Sequence, residues 1–187
     1  SFIDLSTGKM DQLIHAVLRL ARVGSREMHI EKVDMNEVVR GVLKTFTHTI
    51  EQERIEIEVG QLPEIDGDHF SLDQIFTNLI QNAIKYFDQD RPGKIKISAE
   101  QNPHRFVFHV QDNGCGIAQK DLDKIFQAFS RVDLREIAGE GMGLACVKSM
   151  VGRHGGRIWC TSEPGEGSKF SFTISRFLND GRGNAAK

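Results

Sequence analysis

Between residues 54 and 175 the hydrophobic period of this chain switches repeatedly, and the order of the switches limits the fold more than any other feature. Arg54-Ile55-Glu56-Ile57-Glu58-Val59 alternates polar with apolar residues, as a strand with one buried face does. Pro63 and Gly67 close that segment, and Asp68 to Phe87 takes up the three-and-four spacing of a long helix. The polar turn Asp88-Gln89-Asp90-Arg91-Pro92-Gly93 ends it. Two strands follow directly, about Lys94–Glu100 and Arg105–Gln111, and then a short helix at about 119–128. Gly143 opens a further helix with Leu144, Val147, Met150 and Val151 on one face, stopped by His154-Gly155-Gly156. Arg157–Ser162 and Lys169–Ser175 form a last hairpin around Glu163-Pro164-Gly165-Glu166-Gly167. Strands separated by helices that also occur in adjacent pairs predict an α+β, two-layer domain with a mixed sheet and helices on one face.

Upstream, Met10, Leu13, Ile14, Val17, Leu20 and Ala21 give Lys9 to Val23 the stripe of an amphipathic helix. Gly24-Ser25 stops it. Asp34-Met35-Asn36-Glu37 reads as a capping box, with Asp34 as N-cap, Glu37 reaching back and a helix running to about Ile50. The polar, Gly/Ala-rich segment Asn179–Lys187 reads as a frayed tail or a linker.

Composition excludes several classes. Lys+Arg 24 against Asp+Glu 26 gives a net charge of -2, without the basic excess that nucleic acid binding demands. No apolar run reaches the ~18 residues of a membrane span, and the start lacks a signal peptide's layout. Cys115, Cys146 and Cys160 are too widely spaced for a zinc ribbon or a disulfide framework, so a reducing, cytoplasmic setting fits. His29, His48, His69, His104, His109 and His154 have no metal-ligand spacing. There are 18 glycines against 4 prolines, and most glycines follow residue 110.

Three constellations carry chemistry. On the helix 68–87, Asn78, Asn82, Lys85 and Tyr86 fall within an arc of roughly 80 to 100°, opposite Leu72, Phe76, Leu79, Ile80 and Ala83. An amide oxygen there can ligate a hard cation, and Lys85 can meet a phosphate as a point charge. Asp112-Asn113-Gly114-Cys115-Gly116-Ile117 follows a strand, placing glycines where backbone can approach a flat ligand and a carboxylate where an amine can donate. Gly139-Glu140-Gly141-Met142-Gly143-Leu144 feeds a helix N-terminus and suits an anion, though it is neither a Walker A loop nor a dinucleotide fingerprint.

The order and spacing of all three resemble the ATP-binding catalytic domain of sensor histidine kinases, with the Bergerat fold shared by gyrase, MutL-type and heat-shock chaperone ATPases. Asn78 to Tyr86 resembles the N box, Asp112 to Ile117 the G1 box, Ile125 to Arg131 the F box and Gly139 to Leu144 the G2 box. Gly165-Glu166-Gly167-Ser168-Lys169-Phe170 is similar to the closing segment. The resemblance implies ATP and magnesium, with Asn82 the main metal ligand and Asn78 beside it, Lys85 at the phosphates and Tyr86 near the nucleoside. It implies that Asp112 accepts from the adenine amino group and that Gly114 and Gly116 let the backbone close on the base. Residues about Ser130 to Gly139 would be a mobile lid, with Gly139, Gly141 and Gly143 at the lid's end and the phosphates. Arg131 or Arg135 would help the transferring phosphoryl group, while Ile117, Phe129, Met142, Leu144 and Thr173 would complete the nucleotide contacts.

Hydrolytic members of this superfamily resemble E-x-x-x-N at the start of the N box, where Glu is a general base. Asn78 stands at that place and cannot take a proton, so phosphoryl donation is favoured over hydrolysis; a binding module without turnover is the other alternative. The acceptor motif of a histidine kinase does not occur here, and the neighbours of His15 lack its acidic residue and proline. The expected organisation is therefore 1–30 as the second helix of a dimerising hairpin with its linker, 31–178 as the ATP-binding catalytic domain and 179–187 as a flexible tail. The resemblance implies as partners a phosphoacceptor histidine domain, a response-regulator receiver domain and a second copy joined through the N-terminal helix. The portion would be cytoplasmic, in a parent that is either soluble or membrane-anchored.

Overall fold

The computed structural model describes residues 25–88, 90–128 and 141–178. The expected helix Lys9–Val23 with His15, the expected lid with Phe129, Arg131, Arg135 and Gly139, and the tail Asn179–Lys187 lie outside the described residues. In chain order the elements are β1 (Ile30–Asp34), α1 (Met35–Thr45), α2 (Thr47–Gln52), β2 (Glu56–Val59), β3 (Glu64–Asp68), α3 (His69–Lys85), β4 (Lys94–Gln101), β5 (Arg105–Asp112), α4 (Gly143–Arg153), β6 (Ile158–Glu163) and β7 (Gly167–Ser175).

The expected hairpins β4–β5 and β6–β7 join edge to edge, giving a sheet in the order β2-β4-β5-β7-β6. Only the β2–β4 pair is parallel, so the sheet is mixed. Register sets its two faces. Phe106, Phe108 and Val110 of β5 lie opposite Ile174, Phe172 and Phe170 of β7, and all six are buried. The alternate residues Gln111 and Lys169 pair on the other face, in line with Lys96 and Glu58. Phe76 of α3 fastens the helical layer to the apolar face, with ring centroids 5.9 Å from Phe108 and 5.5 Å from Phe172. Each such aromatic pair is worth about 0.5–1.5 kcal/mol beyond area burial. α3 packs between α1 and α4. α1 turns Met35, Val38, Val39 and Val42 inward at helical spacing.

Several expectations were corrected. The helix from Asp34 stops at Thr45 rather than Ile50, and α2 restarts after Phe46. The hydroxyls of Thr45 and Thr47 donate to the Val42 and Lys44 carbonyls, at 2.7 and 3.0 Å, which competes with continuation of the helix. Asp34 is the N-cap and accepts from Asn36 N–H at 2.8 Å, but the Glu37 side chain is not seen reaching back. Residues 119–128 form no α-helix: a single 3-10 turn at Gln119–Asp121 starts from Ala118, which has no side chain to cap it. Glu64–Asp68, read as a closing segment, is a strand paired antiparallel with β1, and Val33 and Ile65 are buried opposite each other. β2 is an edge strand that begins at Glu56, and its outermost apolar residue, Val59, is 42% exposed.

The end of α4 follows its glycines. Gly156 N–H bonds Val151 O and Gly155 N–H bonds Gly152 O, both at 3.0 Å, with Gly155 at φ +65. This Schellman cap is the helix stop expected from His154-Gly155-Gly156.

Candidate functional site

Asp112 ends β5 in register with Ser168 at the start of β7, so its side chain emerges at the sheet's end on the helical side. Its Oδ1 accepts from Gly114 N–H at 2.9 Å and Ser168 N–H at 3.2 Å. Its Oδ2 accepts no hydrogen bond among the described residues. Burial pushes this carboxyl up to about 6, against the opposing pull of the two amides and the Arg91 charge. The Cys160 thiol of β6 is pushed up to about 12, by burial first and the Asp112 charge second, so it stays protonated as part of the floor. The result is a carboxyl group with one oxygen held by two backbone amides and the other unengaged among the described residues.

The loop after Asp112 is held by backbone. Cys115 N–H and Sγ both donate to Tyr86 O at 3.0 Å, and Gly165 N–H donates to Cys115 O at 2.9 Å. A Cβ on Gly114 would stand 2.3 Å from Tyr86 O, and one on Gly116, whose φ is +70, would stand 2.0 Å from Glu163 O. The glycines are thus required by the end of α3 and by the β6–β7 turn. Close approach to a base was the expected reason; the fold itself already imposes the requirement.

α3 carries Asn78, Asn82 and Lys85 on a face that is neither fully buried nor fully exposed, while Leu79, Ile80 and Ala83 are buried. Asn78 Nδ2 donates to Gln74 O at 2.7 Å. A Cβ on Gly143 would lie 2.7 Å from Asn78 Oδ1, so the start of α4 is brought directly against the N-box helix. The Asn82 amide makes no hydrogen bond among the described residues. Lys85 Nζ lies 5.0 Å from the centroid of the Tyr86 ring. α4 begins after Met142 with no side-chain cap among the described residues, and Gly141 adopts φ +66 in front of it. Met142 is buried and Leu144 half-buried beside the core. Ile117 N–H is engaged by Ser162 Oγ at 2.8 Å.

Thr173 departs from the expectation. It pairs with Val107, in the alternation that faces away from α3, and its Oγ1 accepts from Arg157 N–H at 3.0 Å. Ser168, which was not assigned to the site, is bonded through its amide to Asp112 and through its hydroxyl to Ser162 Oγ at 3.0 Å. Sequence reasoning also missed Arg91, whose Nη2 donates to Gly114 O at 2.9 Å and to Gly165 O at 2.5 Å. Both acceptors are backbone, which leaves no residue-type signal.

The family model described as histidine kinase-, DNA gyrase B-, and HSP90-like ATPase matches residues 67–177, from the strand before α3 to the end of β7. The chain belongs to this family. Among curated relatives, the phytochrome-like protein Cph1 of Synechocystis is 42% identical over 92% of this chain. The sensor histidine kinase WalK of Bacillus subtilis is 32% identical over 90% of it. The matches cover 24% and 29% of those proteins, so the chain spans about a quarter of their length. Of solved structures, full-length ShkA with AMPPNP has a TM-score of 0.76 at 30% identity, covering 90% of this chain and 36% of that one. The catalytic domain of the histidine kinase ThkA has a TM-score of 0.70 at 27% identity, covering 80% and 99%. The family's two-layer mixed-sheet fold is the one described above.

Among the described residues no His, Cys, Asp or Glu cluster could hold a metal ion. The oxygen donors of this family member's α3 face are amides instead. No helix among the described residues is long and apolar enough to cross a membrane.

Proposed function

We propose that this chain is the ATP-binding catalytic part of a sensor histidine kinase, with residues 31–178 as that part and 1–30 as the second helix of a dimerising hairpin with its linker. It takes ATP with magnesium and donates the γ-phosphoryl group to a histidine on a dimerisation domain, from which an aspartate of a response-regulator receiver domain receives it. This portion lies in the cytoplasm, in a parent that is soluble or membrane-anchored and forms a homodimer through the N-terminal helix.

The observation that carries this reading is the Asp112 carboxylate, with Oδ1 engaged by Gly114 and Ser168 and Oδ2 unengaged. The exocyclic amine of adenine donates to such an oxygen, whereas guanine would present a carbonyl, acceptor against acceptor. ShkA, 30% identical to this chain, was crystallised with the ATP analogue AMPPNP. The N-terminus of α4, without a side-chain cap among the described residues, suits a polyphosphate, and Lys85 suits its charge. Asn78 cannot act as a base, and its Nδ2 is tied to Gln74 O, which favours donation to a protein group over attack by water. Positioning and charge stabilisation are what such a site contributes to phosphoryl transfer.

The α3 face fits magnesium, which keeps several waters and takes one or two protein oxygens plus phosphates. Asn82, whose amide is unengaged, would hold the ion, with Asn78 Oδ1 beside it. When bound, the ion would neutralise phosphate charge.

The test supplies a separate dimerisation hairpin carrying its histidine, together with labelled ATP. The hairpin histidine should acquire label and this chain alone should not. Asn82→Ala should abolish the transfer; equal labelling by that variant would overturn the assignment.

A further inference from the structure

The geometry points to Arg91 as a positioning residue of the nucleotide site, a guanidinium that bolts the loop behind Asp112 to the β6–β7 turn. It lies in the turn between α3 and β4, outside every motif that led to the site. One nitrogen, Nη2, bonds the carbonyls of both Gly114 and Gly165. Its Nε is buried without a hydrogen-bond partner among the described residues, 3.8 Å from the Asp88 carboxylate. The Asp88 charge beside Nε and the two carbonyl bonds at Nη2 together hold the guanidinium in this turn.

Both carbonyls matter because of what lies on the other side of each residue. Gly114 N–H holds Asp112 Oδ1, and Gly165 N–H holds Cys115 O. Ser168, two residues beyond the turn's end at Glu166, supplies the second amide to Asp112. Arg91 therefore closes a ring: Asp112 to Gly114, Gly114 to Arg91, Arg91 to Gly165, and along the hairpin back to Ser168 and Asp112. With the ring closed, the unengaged oxygen of Asp112 keeps one direction. Pre-set acceptors bind more tightly because less freedom is lost on binding.

Arg91 also brings its charge. Among the described residues, the charged or titratable groups that act on Asp112 are Arg91 from the α3–β4 turn and Cys160 from β6. Lys169, next to Ser168, is in register with Gln111 on the opposite sheet face, and Lys85 lies over the Tyr86 ring. Among the described residues, Arg91 is thus the cation that favours the ionised carboxylate.

The inference rests on the adenine reading of Asp112, and the experiment separates the two. ADP and GDP are titrated calorimetrically into this chain and its Arg91→Gln and Arg91→Lys variants from pH 5 to 8, with a thermal melt for each. Wild type should bind ADP over GDP and weaken as pH falls through the titration of Asp112. Arg91→Gln should bind ADP about tenfold more weakly at pH 8, from the lost charge-assisted bonds. Its binding midpoint should rise by roughly half a unit, less than a direct ion pair would give. Arg91→Lys should keep the wild-type midpoint, because the charge remains, yet lose several-fold in affinity, because the shorter side chain does not bring its ammonium to the place of Nη2 between the two carbonyls. A folded Arg91→Gln with wild-type affinity and midpoint would overturn the inference alone. Folded wild type with no ADP binding would overturn the adenine reading beneath it. If Arg91→Gln does not fold, Arg91→Lys decides: a several-fold loss at unchanged midpoint supports the ring, and wild-type affinity overturns it.

Discussion

The backbone N–H of Asp68 donates to Nε2 of His154 over 3.1 Å, joining the N-cap of α3 to the C-cap of α4 across 86 residues of chain. His154 Nδ1 bonds Met150 O at 2.8 Å, so the ring is neutral, with Nδ1 the donor and Nε2 the acceptor. Asp68 in turn collects Ser71 N–H at 2.9 Å, Ser71 Oγ at 2.7 Å, His29 N–H at 2.9 Å and Arg26 Nη1 at 3.3 Å. Burial raises this carboxyl's pKa, but those bonds and the Arg26 charge outweigh it and hold it below the ordinary value. The two helices that frame the candidate site are therefore tied together, and to residues 26–29, at the end remote from Asp112.

Protonating His154 should loosen that tie. Burial holds its pKa below the ordinary 6.5, so the unfolded chain takes up a proton that the folded one resists. Stability is full above pH 6.5 and falls as pH drops from there through the depressed folded value. His154→Gln removes the titration while keeping a donor and an acceptor. It should be about 1–2 kcal/mol less stable than wild type at pH 7.5, with the gap closing by pH 5. Urea unfolding at several pH values checks this, and taking the difference between the two proteins cancels the titration of the other groups. A gap of constant size would mean that His154 is not the group being titrated.

Much of this arrangement was legible because long periodic segments leave little choice. α3, the β4–β5 and β6–β7 pairs and the glycine stop of α4 lie within a residue or two of their expected bounds. What escaped has a physical reason in each case. β1 and β3 are five residues each and bury few side chains, too little for a period to register. The break at Phe46 depends on two threonine hydroxyls competing for carbonyls, which helical spacing does not reveal. Thr173 was assigned to the site by resemblance although strand parity from Phe170, Phe172 and Ile174 already puts it on the other face. Arg91 bonds only backbone, and backbone carbonyls look alike in every sequence.

Asp112→Asn should trade binding for stability. The carboxyl is raised to about 6 from the ordinary 3.8, so its ionisation above pH 6 costs the fold; the stability it contributes is full below 3.8 and lost as pH rises through 6. Asparagine keeps an oxygen for the Gly114 and Ser168 amides and carries no charge. The variant should gain about 1–2 kcal/mol at pH 8, allowing for solvent screening, with the gain vanishing near pH 4. ADP affinity should fall by at least about tenfold, because an amide nitrogen can replace the accepting oxygen. Urea unfolding against pH and ADP titration read the two halves separately. Destabilisation at pH 8 would count against the raised carboxyl.

Ser168 and Thr173 should behave oppositely. Thr173→Val removes the acceptor of Arg157 N–H and should cost about 1 kcal/mol, while ADP affinity stays within about twofold because the side chain lies across the sheet from Asp112. Ser168→Val places a branched side chain where a hydroxyl now meets Ser162 Oγ beside the Asp112 carboxylate, and should weaken ADP several-fold. Matched titrations with melts decide it: an affinity loss confined to the Thr173 variant would reverse the assignment of faces.

The glycines divide into those the site requires and those it does not. A Cβ on Gly152, exposed in α4, would meet nothing within 4 Å, and the same holds for Gly41 in α1. Alanine at either should stabilise the chain by about 0.5–1 kcal/mol, since an exposed helix interior favours alanine by that amount. At Gly116 the same change meets φ +70 and Glu163 O at 2.0 Å. A left-handed alanine costs about 1–2 kcal/mol before any clash, and a backbone carbonyl cannot swing aside as a side chain can. Gly116→Ala should therefore lose more than about 2 kcal/mol and, by pushing the β6–β7 turn off the loop, weaken ADP as well. Denaturant midpoints for the three variants give the ranking. A neutral Gly116→Ala would mean that the loop and turn are not packed together in solution, and with them would go the reason Asp112 holds its direction.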